Sequence, residues 1–144
     1  MEPPARFWLE PDEYHLEHCG RSADGRFVLI ASQLLFGANP TTDFICTFWF
    51  DSDGGLTAHH IDLVGVRGAY DDTKGDTLFA NHIEAAGPLE PIGFWVRPFA
   101  VDAHGTTFGF VAERDEDSDE WQVIFQPGNT MAFYEPWDSG DYDT

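Results

Sequence analysis

The sequence has very little positive charge. It contains 7 Lys and Arg residues against 26 Asp and Glu, Lys74 is its single lysine, and the formal net charge is −19. Nucleic acids bind basic surfaces because such surfaces release the counterions of the phosphates, and anionic membranes repel acidic proteins. The composition therefore argues against nucleic acid and membrane partners and favours a basic protein as partner.

Other absences narrow the class of protein further. The two cysteines, Cys19 and Cys46, are too few for a disulfide scaffold, so we expect free buried thiols. The start, Met1-Glu2-Pro3-Pro4, lacks the basic and apolar regions of a signal peptide, and we expect a cytoplasmic protein. The familiar catalytic motifs are missing, which weakens the case for an enzyme. We assign no catalytic residue, no metal ligand and no cofactor.

Aromatic residues and turn motifs make up much of what is present. The 13 Phe, 5 Trp and 4 Tyr residues supply enough apolar area for a core, and no repeat or linker divides residues 1–144 into domains. Motifs such as Asp24-Gly25 and Pro127-Gly128-Asn129 separate short apolar runs. The spacing predicts a mostly β, single-domain antiparallel meander of about eight strands, as a barrel or a sandwich, with one short helix.

The individual elements follow from residue spacing. We predict strands at residues 14–19, 26–36, 43–50, 56–66, 93–101, 106–113, 120–125 and 130–135. Residues 26–36 also fit a buried helix. The main helix is predicted at residues 77–86, with Asp76 as its N-cap and Gly87-Pro88 at its end, because its apolar residues recur at helical spacing.

The best candidate metal ligands are His59, His60 and Asp62, on the strand after the turn at residues 51–55. A regular hairpin over that turn places His60 opposite Cys46. Adjacent histidines point to opposite faces of a strand, however, so they cannot both bind one ion without a bulge. The pattern therefore favours structural histidines over a metal site.

The acidic charge is concentrated near the C-terminus. Residues 113–143 contain ten acids and one base, Arg114, for a net charge of −9. Aromatic side chains beside carboxylates favour protein binding, since the rings supply contact area and the acids attract a basic partner. The predicted partner-binding residues are Tyr134, Trp137, Tyr142, Asp138, Asp141 and Asp143. The alternative is that Trp137 folds back onto the last hairpin and the acids serve solubility.

In size, charge and tail composition, the chain resembles the small acidic immunity proteins that neutralise basic bacterial toxins by covering their active sites. No motif contributes to this resemblance, which implies a non-catalytic inhibitor of a basic protein.

Two other functions stay open. One is a β-barrel that holds a small ligand among Trp49, Phe94, Trp95, Phe108 and Phe110. The other is a metal-dependent enzyme that uses His59, His60 and Cys46.

Overall fold

A computed structural model describes residues 2–36 and 40–144. The described residues form eleven strands and one α-helix, so the prediction of a mostly β fold with one helix is confirmed. The elements are β1 (Phe7–Leu9), β2 (His18–Arg21), β3 (Phe27–Leu35), β4 (Thr42–Phe50), β5 (Leu56–Val66), α1 (Asp72–Ala86), β6 (Phe94–Val96), β7 (Val101–Ala103), β8 (Thr106–Arg114), β9 (Trp121–Gln126), β10 (Ala132–Phe133) and β11 (Tyr142–Asp143).

The strands form three antiparallel sheets. Strands β2 to β5 make a four-stranded sheet and β7 to β11 a five-stranded sheet, both in chain order, while β1 pairs with β6. The meander is therefore confirmed. Within residues 2–36 and 40–144 none of the sheets closes into a barrel, which leaves the sandwich of the two predicted forms. No helix in the same residues is long and apolar enough to cross a membrane.

The main core lies between the two larger sheets and is rich in phenylalanine. Alternate residues of β4 point into this core. The Phe44 ring lies 4.9 Å from the Phe108 ring, and the Phe48 ring lies 6.1 Å from the Phe125 ring, measured between centroids. Residues from β1 and β6 complete the same cluster. Phe44, Phe48, Phe50 and Leu56 pack together in this cluster, on one face of the sheet.

Helix α1 covers the outer face of the four-stranded sheet. Its Ala86 packs with Val28 and Ile30 of β3, so both faces of this sheet are covered. The predicted end is confirmed, because the Gly87 N–H donates to the Ile83 and Glu84 carbonyls. The predicted Asp76 cap is wrong. The helix begins at Asp72, and the side chain of Asp71 caps it by accepting from the Thr73 N–H.

Three further boundaries differ from the predictions for local reasons. The predicted strand at 93–101 is divided into β6 and β7, since Pro98 lies between them and has no N–H for a ladder. The predicted strand at 14–19 begins only at His18, because the Asp12 carboxylate holds the N–H groups of Tyr14 and Leu16 in a turn. Within the predicted range 26–36, residues Phe27–Leu35 form strand β3 and not a helix.

Both cysteines are free and buried, as predicted. Burial raises the pKa of the Cys19 thiol to about 12. Burial and the nearby Asp62 carboxylate also raise the pKa of Cys46 well above its ordinary value. Both thiols are therefore protonated at neutral pH and act as apolar core groups.

Candidate functional site

The predicted pairing of Cys46 with His60 is wrong. Thr47 lies opposite His60, and Cys46 lies opposite Ile61. The hairpin does pair Phe50 with Leu56, but the register shifts by one residue at the next step of the ladder. A one-residue bulge turns the side chains that follow it to the other face of the sheet, here as far as Leu63, after which the register shifts again. His60 and Asp62 therefore point towards helix α1, while Cys46 points into the main core.

The bulge creates a polar cluster between β5 and α1 that the sequence did not predict. His82 is buried on the helix, and its Nε2 lies 2.7 Å from Asp62 Oδ2. Its Nδ1 lies 2.6 Å from Thr47 Oγ1 on β4. His60 Nε2 approaches the same Asp62 oxygen at 3.3 Å, and its ring stacks on His82 at 4.5 Å. His59 is not part of this cluster, because it lies opposite Phe48 on the other face.

The predicted partner-binding residues divide into two groups. Tyr134, Asp138, Asp141 and Asp143 are exposed, as a docking surface requires. Trp137 and Tyr142 are half-buried and pack against the main core. The structure thus gives Trp137 and Tyr142 a packing role within the domain, and the partner contact expected of them stays a prediction.

The C-terminal residues meet the N-terminal segment in an acidic cleft. Strand β11 is held by β10, and the Trp8 N–H donates to the Trp137 carbonyl at 2.8 Å. These contacts bring residues 139–142 beside residues 10–12. The cleft between them, which we call the terminal cleft, has a volume of about 460 Å³ and is lined by Glu10, Pro11, Asp12, Ser139, Gly140, Asp141 and Tyr142.

Asp12 is fixed in this cleft as a carboxylate. Its Oδ1 accepts from the backbone N–H groups of Tyr14 and Leu16, and its Oδ2 accepts from the Tyr142 hydroxyl. Burial alone would raise the pKa of Asp12, but these hydrogen bonds and His15 lower it below its ordinary value. Burial and the bond to Asp12 raise the pKa of Tyr142 to about 12. At neutral pH Asp12 is therefore charged and Tyr142 is a neutral donor.

Two more carboxylates complete the cleft. Glu10 Oε2 accepts a hydrogen bond from Trp8 Nε1, which restricts the carboxylate to one orientation. Asp141 is exposed on the opposite wall, where its N–H donates to Ser139 Oγ at 3.1 Å. Three carboxylates on one concave surface can accept several charge-assisted hydrogen bonds from a guanidinium or ammonium group. The arrangement suits the binding of basic side chains.

Tyr134 lines a different concavity. Together with Glu120, Trp121 and Glu135 it forms a cleft of about 110 Å³, and its hydroxyl donates to Gln122 Oε1. The adjacent turn of residues 115–119 is organised by its own acids, since Asp115 accepts from the Asp117 N–H and Asp119 pairs with Arg114. The acids of residues 113–143 therefore lie on more than one surface.

In the terminal cleft, Glu10 and Asp12 are the acidic residues that sequence reasoning missed. They are separated from Asp141 by about 130 residues in sequence, and only the pairing of β1 with β6 and of β11 with β10 brings them together. The Pro11-Asp12 dipeptide was the one available signal, because Asp after Pro is typical of a turn in which the carboxylate accepts backbone hydrogen bonds.

The five aromatic residues expected to line a ligand cavity do not line a common cavity. Phe94, Phe108 and Phe110 are buried in the main core. Trp49 lies on the outer face of the four-stranded sheet with Arg26 over its ring, and Trp95 packs edge-on against Trp8. These five side chains form parts of three packing regions and not a binding pocket.

Comparison with known proteins does not indicate a function for this chain. The chain matches no protein-family model, no curated protein and no solved structure.

Proposed function

We propose that this chain is a non-catalytic module that binds a basic protein, and that basic side chains of the partner enter the terminal cleft. The observation that supports this proposal is the cleft itself: Glu10, Asp12 and Asp141 meet on one concave surface of a protein with a net charge of −19. Immunity-type inhibition of a basic toxin is one activity that such a module would have.

The cleft suits this role because part of it is ordered before binding. Asp12 and Glu10 are already held by hydrogen bonds from Tyr142 and Trp8, so little conformational entropy is lost when they accept a partner's donors. The outer acids Asp138 and Asp143 are exposed and add long-range attraction. In this arrangement the held carboxylates provide affinity and the outer acids increase the association rate.

The proposal predicts different kinetic effects for two double variants of equal charge. Glu10→Gln with Asp141→Asn removes two carboxylates from the cleft, and Glu116→Gln with Asp117→Asn removes two from the turn between β8 and β9. Both pairs should slow association by similar, small factors, since both reduce the net charge by two. Only the cleft pair should also speed dissociation, by about ten-fold or more, because it removes direct contacts.

The measurement uses the partner captured from cells of the protein's own source, purified, and followed by surface plasmon resonance. Circular dichroism and thermal unfolding of both variants check that the fold is intact. Equal dissociation rates for the two pairs would show that the partner does not contact the terminal cleft. A captured partner with an acidic binding surface would contradict the proposed function as a whole.

A further inference from the structure

The polar cluster under helix α1 has a feature that partner binding does not explain. His60, Asp62 and His82 present ligand atoms that all lie within 4.8 Å of one another. Among residues 2–36 and 40–144 they are the only group of three His, Cys, Asp or Glu side chains so arranged. Two imidazoles and one carboxylate are a common ligand set for first-row transition metals, and for zinc in particular.

We propose that His60, Asp62 and His82 form a binding site for a divalent transition metal, with Zn²⁺ as the reference ion. With metal–ligand bonds of about 2.0–2.1 Å, neighbouring ligand atoms of a tetrahedral site are roughly 3.3 Å apart. His60 Nε2 and Asp62 Oδ2 already have this separation, at 3.3 Å. His82 Nε2 and Asp62 Oδ2, at 2.7 Å, separate by about half an ångström when an ion replaces their hydrogen bond.

The partners of His82 permit this exchange. The hydrogen bond to the Asp62 carboxylate places the proton of His82 on Nε2, whereas metal binding through Nε2 requires it on Nδ1, so the ring changes tautomer when the ion binds. The Thr47 hydroxyl, 2.6 Å from Nδ1, can accept that proton's hydrogen bond as readily as it can donate one. Such a partner on the far nitrogen fixes the ring orientation and typically contributes ten- to hundred-fold to metal affinity.

His60 is the exposed ligand of the proposed site. The His60 side chain is 61% exposed and stacks nearly parallel to His82, at 13°. An ion cannot lie in the planes of two parallel rings, so His60 must turn about its side-chain bonds, and its exposure leaves room for this. Asp62 is 30% exposed, so water can reach the ion's fourth position. The site therefore joins strand β5 to helix α1 and leaves one coordination position open.

The protein itself supplies a matched control. His59 and His60 are adjacent, both exposed, and on opposite faces of β5. Isothermal titration calorimetry with Zn²⁺, in excess Ca²⁺ to saturate oxygen-only carboxylate sites, should show one site per chain. His60→Ala should weaken that site by about ten-fold or more, and His59→Ala by less than about two-fold. Zn²⁺ should also raise the thermal midpoint of the wild-type protein by more than that of His60→Ala, because a ligand that binds the folded state stabilises it by an amount that rises with its affinity.

Equal weakening by the two substitutions, or no stoichiometric Zn²⁺ binding under these conditions, would overturn the proposal. The cluster would then act only as a hydrogen-bonded link between helix and sheet. Neither substituted side chain is buried, so loss of the fold does not confuse the comparison, and circular dichroism of both variants verifies this. The outcome is independent of partner binding, since none of the three ligands lines the terminal cleft.

Discussion

Replacing Phe48 by alanine is expected to lower the free energy of unfolding by about 3–5 kcal/mol. Phe48 is fully buried on β4, with the Phe99 ring at 5.0 Å and the Phe125 ring at 6.1 Å. Truncation removes the transfer free energy of the ring and leaves a cavity between two sheets, which cannot collapse without moving several strands. Urea denaturation followed by tryptophan fluorescence measures the loss.

Phe36 provides the control for this substitution. It lies just beyond β3 and is 60% exposed, so Phe36→Ala should change the free energy of unfolding by no more than about 0.5 kcal/mol. Similar losses for the two variants would show that Phe48 does not lie in a packed interior, and the described face of β4 would then be wrong.

Gly20→Ala is expected to cost about 3 kcal/mol or more, because two separate penalties apply. A Cβ at this position would lie 2.0 Å from the Glu90 carbonyl oxygen, and Gly20 has a φ of +151°. The neighbouring Arg21 exchanges two backbone hydrogen bonds with Glu90. An alanine therefore strains its own backbone and also pushes away the segment that joins α1 to β6.

Gly25→Ala separates these two penalties. Gly25 also has a positive φ, +88°, but a Cβ there would meet nothing within 4 Å. Its replacement should cost only the backbone term of about 1–2 kcal/mol. If Gly20→Ala were no more destabilising than Gly25→Ala in the same denaturation experiment, the close approach of Glu90 to β2 would be contradicted.

Much of the fold was predictable because it follows from alternation and turn chemistry. Strand β5 was predicted at its observed bounds, and β4 and β8 to within one residue. Phenylalanine recurs at alternate positions in β4, at Phe44, Phe48 and Phe50, which is the pattern of a strand with one buried face. The very short strands β1 and β11 were missed, since three or two residues cannot display a period.

The candidate sites were harder to predict because both depend on long-range pairing. The bulge next to Leu56 reverses the orientation of His60 relative to a regular hairpin, and the local sequence contains no residue that marks it. His82 is buried on helix α1, but its partners Thr47 and Asp62 lie on two strands. Sequence spacing alone does not relate a helix residue to positions on two different strands.

The terminal cleft shows the same limit. Asp141 was predicted to bind a partner, but the concave surface exists only because β11 pairs with β10 and β1 pairs with β6. The number of acidic residues could be read from the sequence. Which of them lie in the terminal cleft and which lie in the turn at residues 115–119 could not. The acids of residues 113–143 are therefore not one surface, and their contributions to binding should differ.

The central claim, that this protein binds a basic partner through attraction by its acidic surface, is tested most directly by the salt dependence of association. The rate constants for association and dissociation with the purified partner are measured by stopped flow from about 10 to 300 mM NaCl, a range over which the screening length falls from about 30 Å to below 8 Å. We expect the association rate to fall by at least about ten-fold, and the dissociation rate to change much less. An association rate that is independent of salt would contradict the account.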